Sequence, residues 1–494
     1  MPMTASRQRN FFGRLLYNLP VFAPLFLLLT IPGVFLAFSW NAEREWQAYR
    51  KDAAARGINL HLPELHPAIP ASENLAAAPP FAPVRVDKKG DPLEPPKLKH
   101  DWLPFDLLPS LSDSRRPDFE KVRAKLSEEK PASGEKLEPD AVALFFRVFD
   151  RQMGADWPAV LAAEARPRTE FRIRYWPMPI SEKIPLADFR TAAQCHAMRA
   201  VALLRVHKSA EAFAELHGAF RLAEALKTDP ALVPCMLGAA MTYLQVQPVW
   251  EGLVSGRWED AQLIGLEREL AGLQIAAAYP KAIEMERACH NAALDTLAGK
   301  SVAARANELQ AWGFDPAPGA KLVTALSCST GLIRDNQLLL NRNYDVLGQR
   351  IDHAGQWRPD GIQPIDFDHA KTGFNLRYFF ATMMTINFSR SESRLLMVEA
   401  RVRQARLAIA LERYRRSRAS LPERLDQLVP AFLPAVPLDP YDGLPMRYAN
   451  DGEGAFRLWS IGDNQEDDGG VPDPNSDSPG ISLDLVWPGL PPEH

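Results

Sequence analysis

From about Pro139 to Lys300, apolar residues recur at steps of three and four, in alanine-rich runs of roughly 15 to 20 residues broken by turn signals. This spacing predicts helices near Asp140 to Gly154, Trp157 to Arg166, Ala187 to Val206, Ser209 to Thr228, Ala231 to Ser255, Trp258 to Ala278 and Pro280 to Lys300. Thr228-Asp229-Pro230 and Ser255-Gly256-Arg257 are clear breaks. Helices joined by such short turns must pack antiparallel, which makes an α-helical hairpin array. Ala210, Phe213, Leu216 and Phe220 have the spacing of a helical repeat, but the period of about 34 residues that a tetratricopeptide array needs is missing, so the body is solenoid-like. Glu170 to Met178 alternates like a strand until Pro177 and Pro179 end it.

A different pattern precedes the array. Leu15 to Trp40 contains no charged side chain, and as a helix it would reach about 39 Å against roughly 30 Å of bilayer hydrocarbon. A single transmembrane helix is expected there, kinked by Pro20, Pro24 and Pro32, with Trp40 and Trp46 at the far interface. Arg7, Arg9 and Arg14 precede it and favour an N-terminus on the cytoplasmic side, with the rest of the chain outside the inner membrane. A cleaved signal peptide with Ala37 and Ser39 as its small-residue site is the rival reading. From Asp52 to about Glu138, proline and charge mix as in a spacer that is extended or partly disordered, although Trp102 to Leu111 is apolar enough to dock.

After the array, one helix is expected around Leu322 to Leu340 and a loop-rich stretch from Asn341. Asn375 to about Arg416 is helical again, with Leu395, Val398, Val402, Ala405 and Ile409 forming a stripe. Pro422 opens a short second helix. Arg447-Tyr448 and Phe456-Arg457-Leu458-Trp459 then read as paired strands around an Asn450 to Gly454 turn. The expected fold is mainly α: a transmembrane helix, a helical hairpin body and a small α+β C-terminal module. The segments are 1–14 cytoplasmic, 15–40 transmembrane, 41–138 spacer, 139–372 helical array and 373–494 long helix plus module.

Composition adds exclusions. The 494 residues carry a net charge of -4 with both signs intermixed, which gives no broad basic footprint, and nucleic acid is not expected as a partner. Cys195, Cys235, Cys289 and Cys328 form no CxxC pair and argue against structural zinc. They suit either disulfides in an exported body, with three pairings open, or small buried hydrophobes.

The order of blocks near the C-terminus is the most specific signal. A long helix leads to Val436-Pro437-Leu438-Asp439-Pro440-Tyr441-Asp442-Gly443, then to the strands, then to Ser460-Ile461-Gly462-Asp463-Asn464-Gln465-Glu466-Asp467-Asp468-Gly469-Gly470 and Asp484-Leu485-Val486-Trp487. Together these resemble the soluble part of the major pseudopilin of type II secretion, over roughly the last fifth of the chain. The pairing of this tail with a helical array is similar to a family of uncharacterised bacterial membrane-anchored proteins. The resemblance implies a spine helix backed by a strand meander, and a loop that holds Ca²⁺. Candidate ligands are Asp463, Asn464, Asp467, Asp468 and Asp484, with the Trp459 or Ile461 carbonyl, since calcium takes six to eight oxygens. An acidic, solvated loop is the alternative, and the EF-hand pattern is missing. A pseudopilin also carries a glutamate a few residues into its hydrophobic helix; Asn10-Phe11-Phe12-Gly13-Arg14-Leu15-Leu16 has none, which argues against assembly into a filament.

No catalytic residue is assigned. The chain contains no GxSxG, P-loop or Rossmann glycine set. Glu286 and His290, four apart with Cys289 beside them, could edge a metal site, but no third ligand is indicated, and a helical ion pair or a satisfied core histidine is the simpler reading. His196, His207 and His217 recur on adjacent helices, which brings His207 and His217 within conceivable reach but shows no accompanying carboxylate pattern. Asp439, Asp442 and Arg447 read as turn-makers. The expected function is a membrane-anchored extracytoplasmic protein for protein interaction or envelope assembly. The alternatives are a hydrolase with its site in the array and a minor subunit of a secretion or pilus-like machine.

Overall fold

Helix dominates because the apolar stripes are spaced for it and the breaks between them are short. The computed structural model describes residues 30, 33–60, 69–87, 91–99, 102, 111, 115–128, 140–171, 182–311, 329–358, 376–378, 380–381, 384, 388–452, 454–471 and 483–489. A helix over 33–55 (α1) is followed by α2 (Phe119–Glu128), α3 (Ala141–Met153), α4 (Trp157–Ala163), α5 (Leu186–Arg205), α6 (Ser209–Leu226), α7 (Leu232–Val254) and α8 (Asp260–Leu273). Then come α9 (Tyr279–Ala298), α10 (Val302–Ala311), α11 (Thr330–Arg350) and α12 (Phe388–Arg418). The chain divides into two compact units: residues 1–60, 291–342 and 367–384 make unit 1, and 61–290, 343–366 and 385–494 make unit 2.

Unit 2 is built on α5, α6 and α7, which pack on one another, with α8 against α6 and α12 across α7 and α8. Local rules place the ends. The Asp140 carboxylate caps α3 by accepting the Val142 N–H at 2.8 Å. His207 takes a left-handed φ of 63° in the tight α5–α6 turn. On α3, Leu144, Phe145, Val148 and Phe149 are buried, the two-adjacent, four-apart pattern of one helical face. The predicted array helices all occur, with ends moved by a few residues; the sixth stops at Leu273 and gives way to a 3₁₀ turn at Ala276–Ala278.

Two expectations fail in unit 2 and along α11. The proline-rich stretch is no mere spacer: Leu75, Phe81, Leu98 and Trp102 belong to the main core of unit 2. Phe81 stacks on Phe189 at 4.2 Å between ring centroids, the Leu98 N–H donates to Asp188 at 2.6 Å, and Val84–Arg85 (β1) pairs antiparallel with Glu182–Lys183 (β2). Proline limited the apolar count without preventing burial, because prolines seated in turns leave the intervening side chains free to point inward. The second failure is the loop expected from Asn341, where α11 runs on to Arg350. Tyr344 and Leu347 are buried along that extension, while the Asn341 side chain bonds the Gln337 carbonyl at 2.7 Å and the Asn291 side chain at 2.8 Å. Polar residues that suggested a loop are there because they are hydrogen-bonded inside.

In unit 1, Ala42, Trp46, Tyr49 and Ala53 fall at helical steps on α1, and Trp46, Ala53 and Leu60 form a small core with Tyr49 and Ile58 against it. The Tyr49 hydroxyl donates to the Asn341 carbonyl at 3.3 Å, and Arg334 pairs with Glu43 at 2.9 Å. Trp46 is thus part of a protein core and is unavailable to a membrane interface. The expected span lies outside the described residues as far as Leu29, and among the described residues no helix is long and apolar enough to cross a membrane.

The C-terminal segment follows the expected order. After α12, Leu425–Leu428 forms a short 3₁₀ helix, and strands Arg447–Gly452 (β3), Ala455–Ser460 (β4) and Leu485–Val486 (β5) form an antiparallel sheet in the order β3-β4-β5. Arg447 stands opposite Trp459, with a bulge between Asn450 and Gly452 at the turn. It is packed into unit 2: the Trp250 indole of α7 donates to the Pro488 carbonyl at 3.1 Å.

Close approach of α7 to the residues after it depends on Gly252, where an added Cβ would lie 2.0 Å from the Trp258 indole nitrogen. Gly252→Ala is therefore expected to lower stability by about 1–3 kcal/mol through overpacking. Gly272→Ala, at a helical position with nothing within 4 Å, is expected to raise it by up to about 1 kcal/mol. Denaturant unfolding of the two variants checks the opposite signs.

Candidate functional site: the acidic C-terminal loop

The loop after β4 is organised around a carboxylate that the sequence presented only as a turn residue. Asp439 is fully buried. Its oxygens accept the Tyr441 N–H at 3.1 Å, the Ser460 hydroxyl at 2.8 Å, the Ile461 N–H at 3.0 Å and an Arg447 guanidinium N–H at 3.1 Å. Burial pushes its pKa above the usual range in spite of these donors. Arg447 also contacts Asp442, and its Nε lies 3.6 Å from Asp467. Asp439, Asp442 and Arg447 act as the expected turn-makers, and they also tie the turn to β4 and to the acidic loop.

Glycine lets the loop close. At Gly470, with φ of 75°, an added Cβ would sit 2.9 Å from the Trp459 ring, so the chain passes directly against the indole face. That indole donates to Asp467 Oδ1 at 2.9 Å, which also accepts the Gly469 N–H at 3.1 Å, and the Asp467 pKa is lowered, the indole donor being the largest cause. Asn464 donates its amide to Asp468 at 3.0 Å. Asp484 is buried and accepts the Gly470 N–H at 2.7 Å through Oδ2, and the Asp468 backbone N–H also favours its charged form. Its pKa is raised, chiefly by burial and further by the charges of Asp467 and Asp468.

Of the five residues proposed for calcium, the structure thus joins Asn464 to Asp468 and sets Asp467 and Asp468 close enough to act on Asp484. The charge of Asp463 is felt instead by Tyr441 and Glu392. Among the described residues no group of three or more His, Cys, Asp and Glu is arranged to hold a metal ion. The candidate ligands, four carboxylates and the amide oxygen of Asn464, are nonetheless all oxygen.

The histidines singled out in the sequence each have a side-chain partner within the fold. His290 Nδ1 meets the Tyr344 hydroxyl at 2.5 Å, and burial pushes its pKa down to about 3. Glu286 accepts the Leu232 N–H at 3.2 Å and is pushed up to about 7 by burial; the two side chains serve different partners. His207 bonds Arg257 at 2.9 Å and His217 bonds Glu269 at 2.7 Å, so these two histidines do not meet each other. The carboxylates missing from the sequence pattern are present around His196, which is fully buried with Nδ1 2.9 Å from Glu215 and Nε2 3.4 Å from Glu164, while Arg199 pairs with Glu215 at 2.7 Å. The signal was available across the α5–α6 hairpin, where Glu215 lies on the strand of helix running back past His196, but Glu164 comes from α4 and no local spacing points to it. Cys195, Cys235 and Cys289 are buried free thiols, in keeping with the small-hydrophobe reading; Cys328 lies outside the described residues.

Comparison of the chain with protein-family models, with curated proteins and with solved structures found no match.

The buried titrating groups fix a pH response. Glu286 has a folded pKa of about 7 above its ordinary 4.5, so its contribution is complete below pH 4.5 and is lost as pH rises through 7. His290, at about 3 against an ordinary 6.5, contributes fully above pH 6.5 and loses that contribution as pH falls toward 3. Glu286→Gln keeps an acceptor for Leu232 and is expected to reduce the loss of stability between pH 4.5 and 7.5 by about 1–3 kcal/mol. Chemical denaturation across that range measures it, and equal losses in both proteins would remove Glu286 as the group responsible.

Proposed function

We propose that the chain is a single-pass, membrane-anchored protein whose body lies outside the inner membrane and serves protein interaction or envelope assembly. The carrying observation is that the uncharged run from Leu15 reaches into α1, where Val34 to Ala37 and Trp40 are exposed before the helix becomes amphipathic. Support for a pseudopilin-like tail comes from the sequence blocks, together with a 31-residue helix followed by a three-stranded antiparallel sheet. In a filament subunit the spine helix needs a free face to meet its neighbours. Here α12 lies across α7 and α8, and its Arg401 and Gln404 bond the carbonyls of Val486 and Leu485. This favours a tail used as a cap on the body over a subunit of a secretion or pilus-like machine. Fractionation of cells followed by in-cell crosslinking tests the reading: the full chain is expected in the inner-membrane fraction joined to envelope proteins, whereas a freely soluble full chain would refute it.

The acidic loop is proposed to take Ca²⁺, with Asp484, Asp467, Asp468 and Asn464 as the residues that would hold it and Asp463 at its edge. The crowding of Asp484 with Asp467 and Asp468 supports this, because their charges work against its ionisation and a hard cation would relieve that repulsion. The ion would order the loop and neutralise its crowded carboxylates. Ca²⁺ at 100 times its dissociation constant is expected to stabilise the full chain by about 2.7 kcal/mol, seen as a rise in melting temperature that chelator reverses. Asp484→Asn should abolish the response; a wild-type melting temperature indifferent to calcium would dismiss the ion.

A further inference from the structure

The exposed apolar residues of the chain concentrate at one place. Val34 and Leu36 are 70% exposed and Trp40 66%, the highest values among large hydrophobic side chains in the described residues, and Phe35 is 38% exposed. Residues 34 to 37 are all exposed, and four successive positions on a helix point around its whole circumference. A helix that is apolar all round needs cover on every side, which one groove in a partner protein does not give. Two residues beyond Trp40 the pattern changes: Ala42, Trp46 and Ala53 are buried at helical steps, with Asn41, Arg44, Glu45 and Gln47 exposed between them. Trp40 and Trp46 are separated by only about 9 Å along the axis, yet one faces outward and the other is 1% exposed.

Cations and aromatic rings gather at the level where the pattern changes. The Arg44 guanidinium lies 5.5 Å from the Trp40 ring centroid and makes no ion pair among the described residues. Arg377, held by Asp335 at 2.6 Å, lies 5.5 Å from the Phe38 ring and 4.9 Å from that of Tyr378. Below this level unit 1 is fastened to the same helix. Gly331 meets Ser39 so closely that a Cβ there would lie 2.5 Å from the serine oxygen, Arg334 pairs with Glu43, and Tyr49 bonds Asn341.

We propose that the bilayer surface crosses α1 between Trp40 and Asn41, with Val34 to Trp40 as a collar in the acyl and headgroup boundary and Arg44 on a phospholipid phosphate. This rests on the membrane-anchor reading and adds to it a position and a lipid contact. The occupant is lipid because the collar continues the uncharged run from Leu15 and because an aromatic residue flanked by arginine suits the interface. Since α1 is helical from 33 to 55 without interruption and unit 1 grips it from Ser39 onward, unit 1 rests on the membrane surface and no flexible spacer separates them.

The test places a photo-crosslinking amino acid singly at Leu25, Leu36, Trp40, Ala48 and Lys51 in the full chain, reconstituted in vesicles of phosphatidylethanolamine and phosphatidylglycerol. Lipid adducts are expected at Leu25, Leu36 and Trp40 and none at Ala48 or Lys51. Adducts at Leu25 alone would leave the anchor standing and overturn the collar, whereas no adduct at any position would overturn the anchor as well. Adducts to protein at Leu36 and Trp40 would show that a second copy or a partner covers them, and would also overturn the proposal. In an Arg44→Glu background the lipid yield at Trp40 is expected to fall at least twofold with that at Leu25 unchanged; an undiminished yield would eliminate the phosphate contact.

Discussion

A long helix buried on nearly every side must match each polar group it carries inward, and in unit 2 that constraint falls on α12. Glu392, Glu399, Arg401, Arg403 and Gln404 are all buried along it. Glu392 receives the Tyr279 hydroxyl at 2.8 Å and Arg350 at 3.1 Å; Glu399 receives the Ala276 N–H at 3.1 Å and Arg403 at 2.8 Å. Arg403 reaches the carbonyls of Ala354 and Leu438, both at 2.9 Å, while Arg401 and Gln404 hold the carbonyls beside β5. Leaving one such charge unpaired in the interior would cost several kcal/mol. The start of α9, the turn after α11, the Asp439 turn and the last strand are therefore all fixed with respect to one helix.

This explains which parts of the architecture were legible in the sequence. Helices of the array were visible because packing on α5, α6 and α7 demands apolar steps of three and four, and Thr228-Asp229-Pro230 or Ser255-Gly256-Arg257 could only be breaks. The stripe Leu395, Val398, Val402, Ala405 and Ile409 was visible for the same reason, but it described only part of the buried surface of α12: Leu396, Ala400, Leu407 and Leu411 are buried on the opposite face, and Glu392, Glu399, Arg401, Arg403 and Gln404 between the two are buried through hydrogen bonds that leave no apolar trace. Asn341 and its polar neighbours hid the second half of α11 by the same mechanism. Polar side chains buried in pairs look like surface until their partners are known.

The acidic loop shows the same division. Asp467, Asp468, Asn464 and Asp484 were recognisable because carboxylates crowded among glycines are unusual, and the structure brings them together. Asp439 was dismissed as a turn residue, since Asp-Pro is a common turn and nothing nearby in sequence announces Ser460 and Ile461 as donors across the sheet. His196 is the clearest omission: its two carboxylates come from α4 and α6, and only the three-helix packing makes them neighbours.

The position of α12 also sets the order in which unit 2 is finished. The apolar side chains of α7 and α8 that it covers are synthesised roughly 115 to 185 residues earlier, which at 5–20 residues per second is about 6–37 s before their cover exists. During that interval α8, with Leu263, Leu266 and Leu270 on its buried face, lacks one of the two helices it packs on most. A nascent chain of this design is sticky until its last quarter arrives, and so depends on a holding factor or on rapid completion to avoid joining its neighbours.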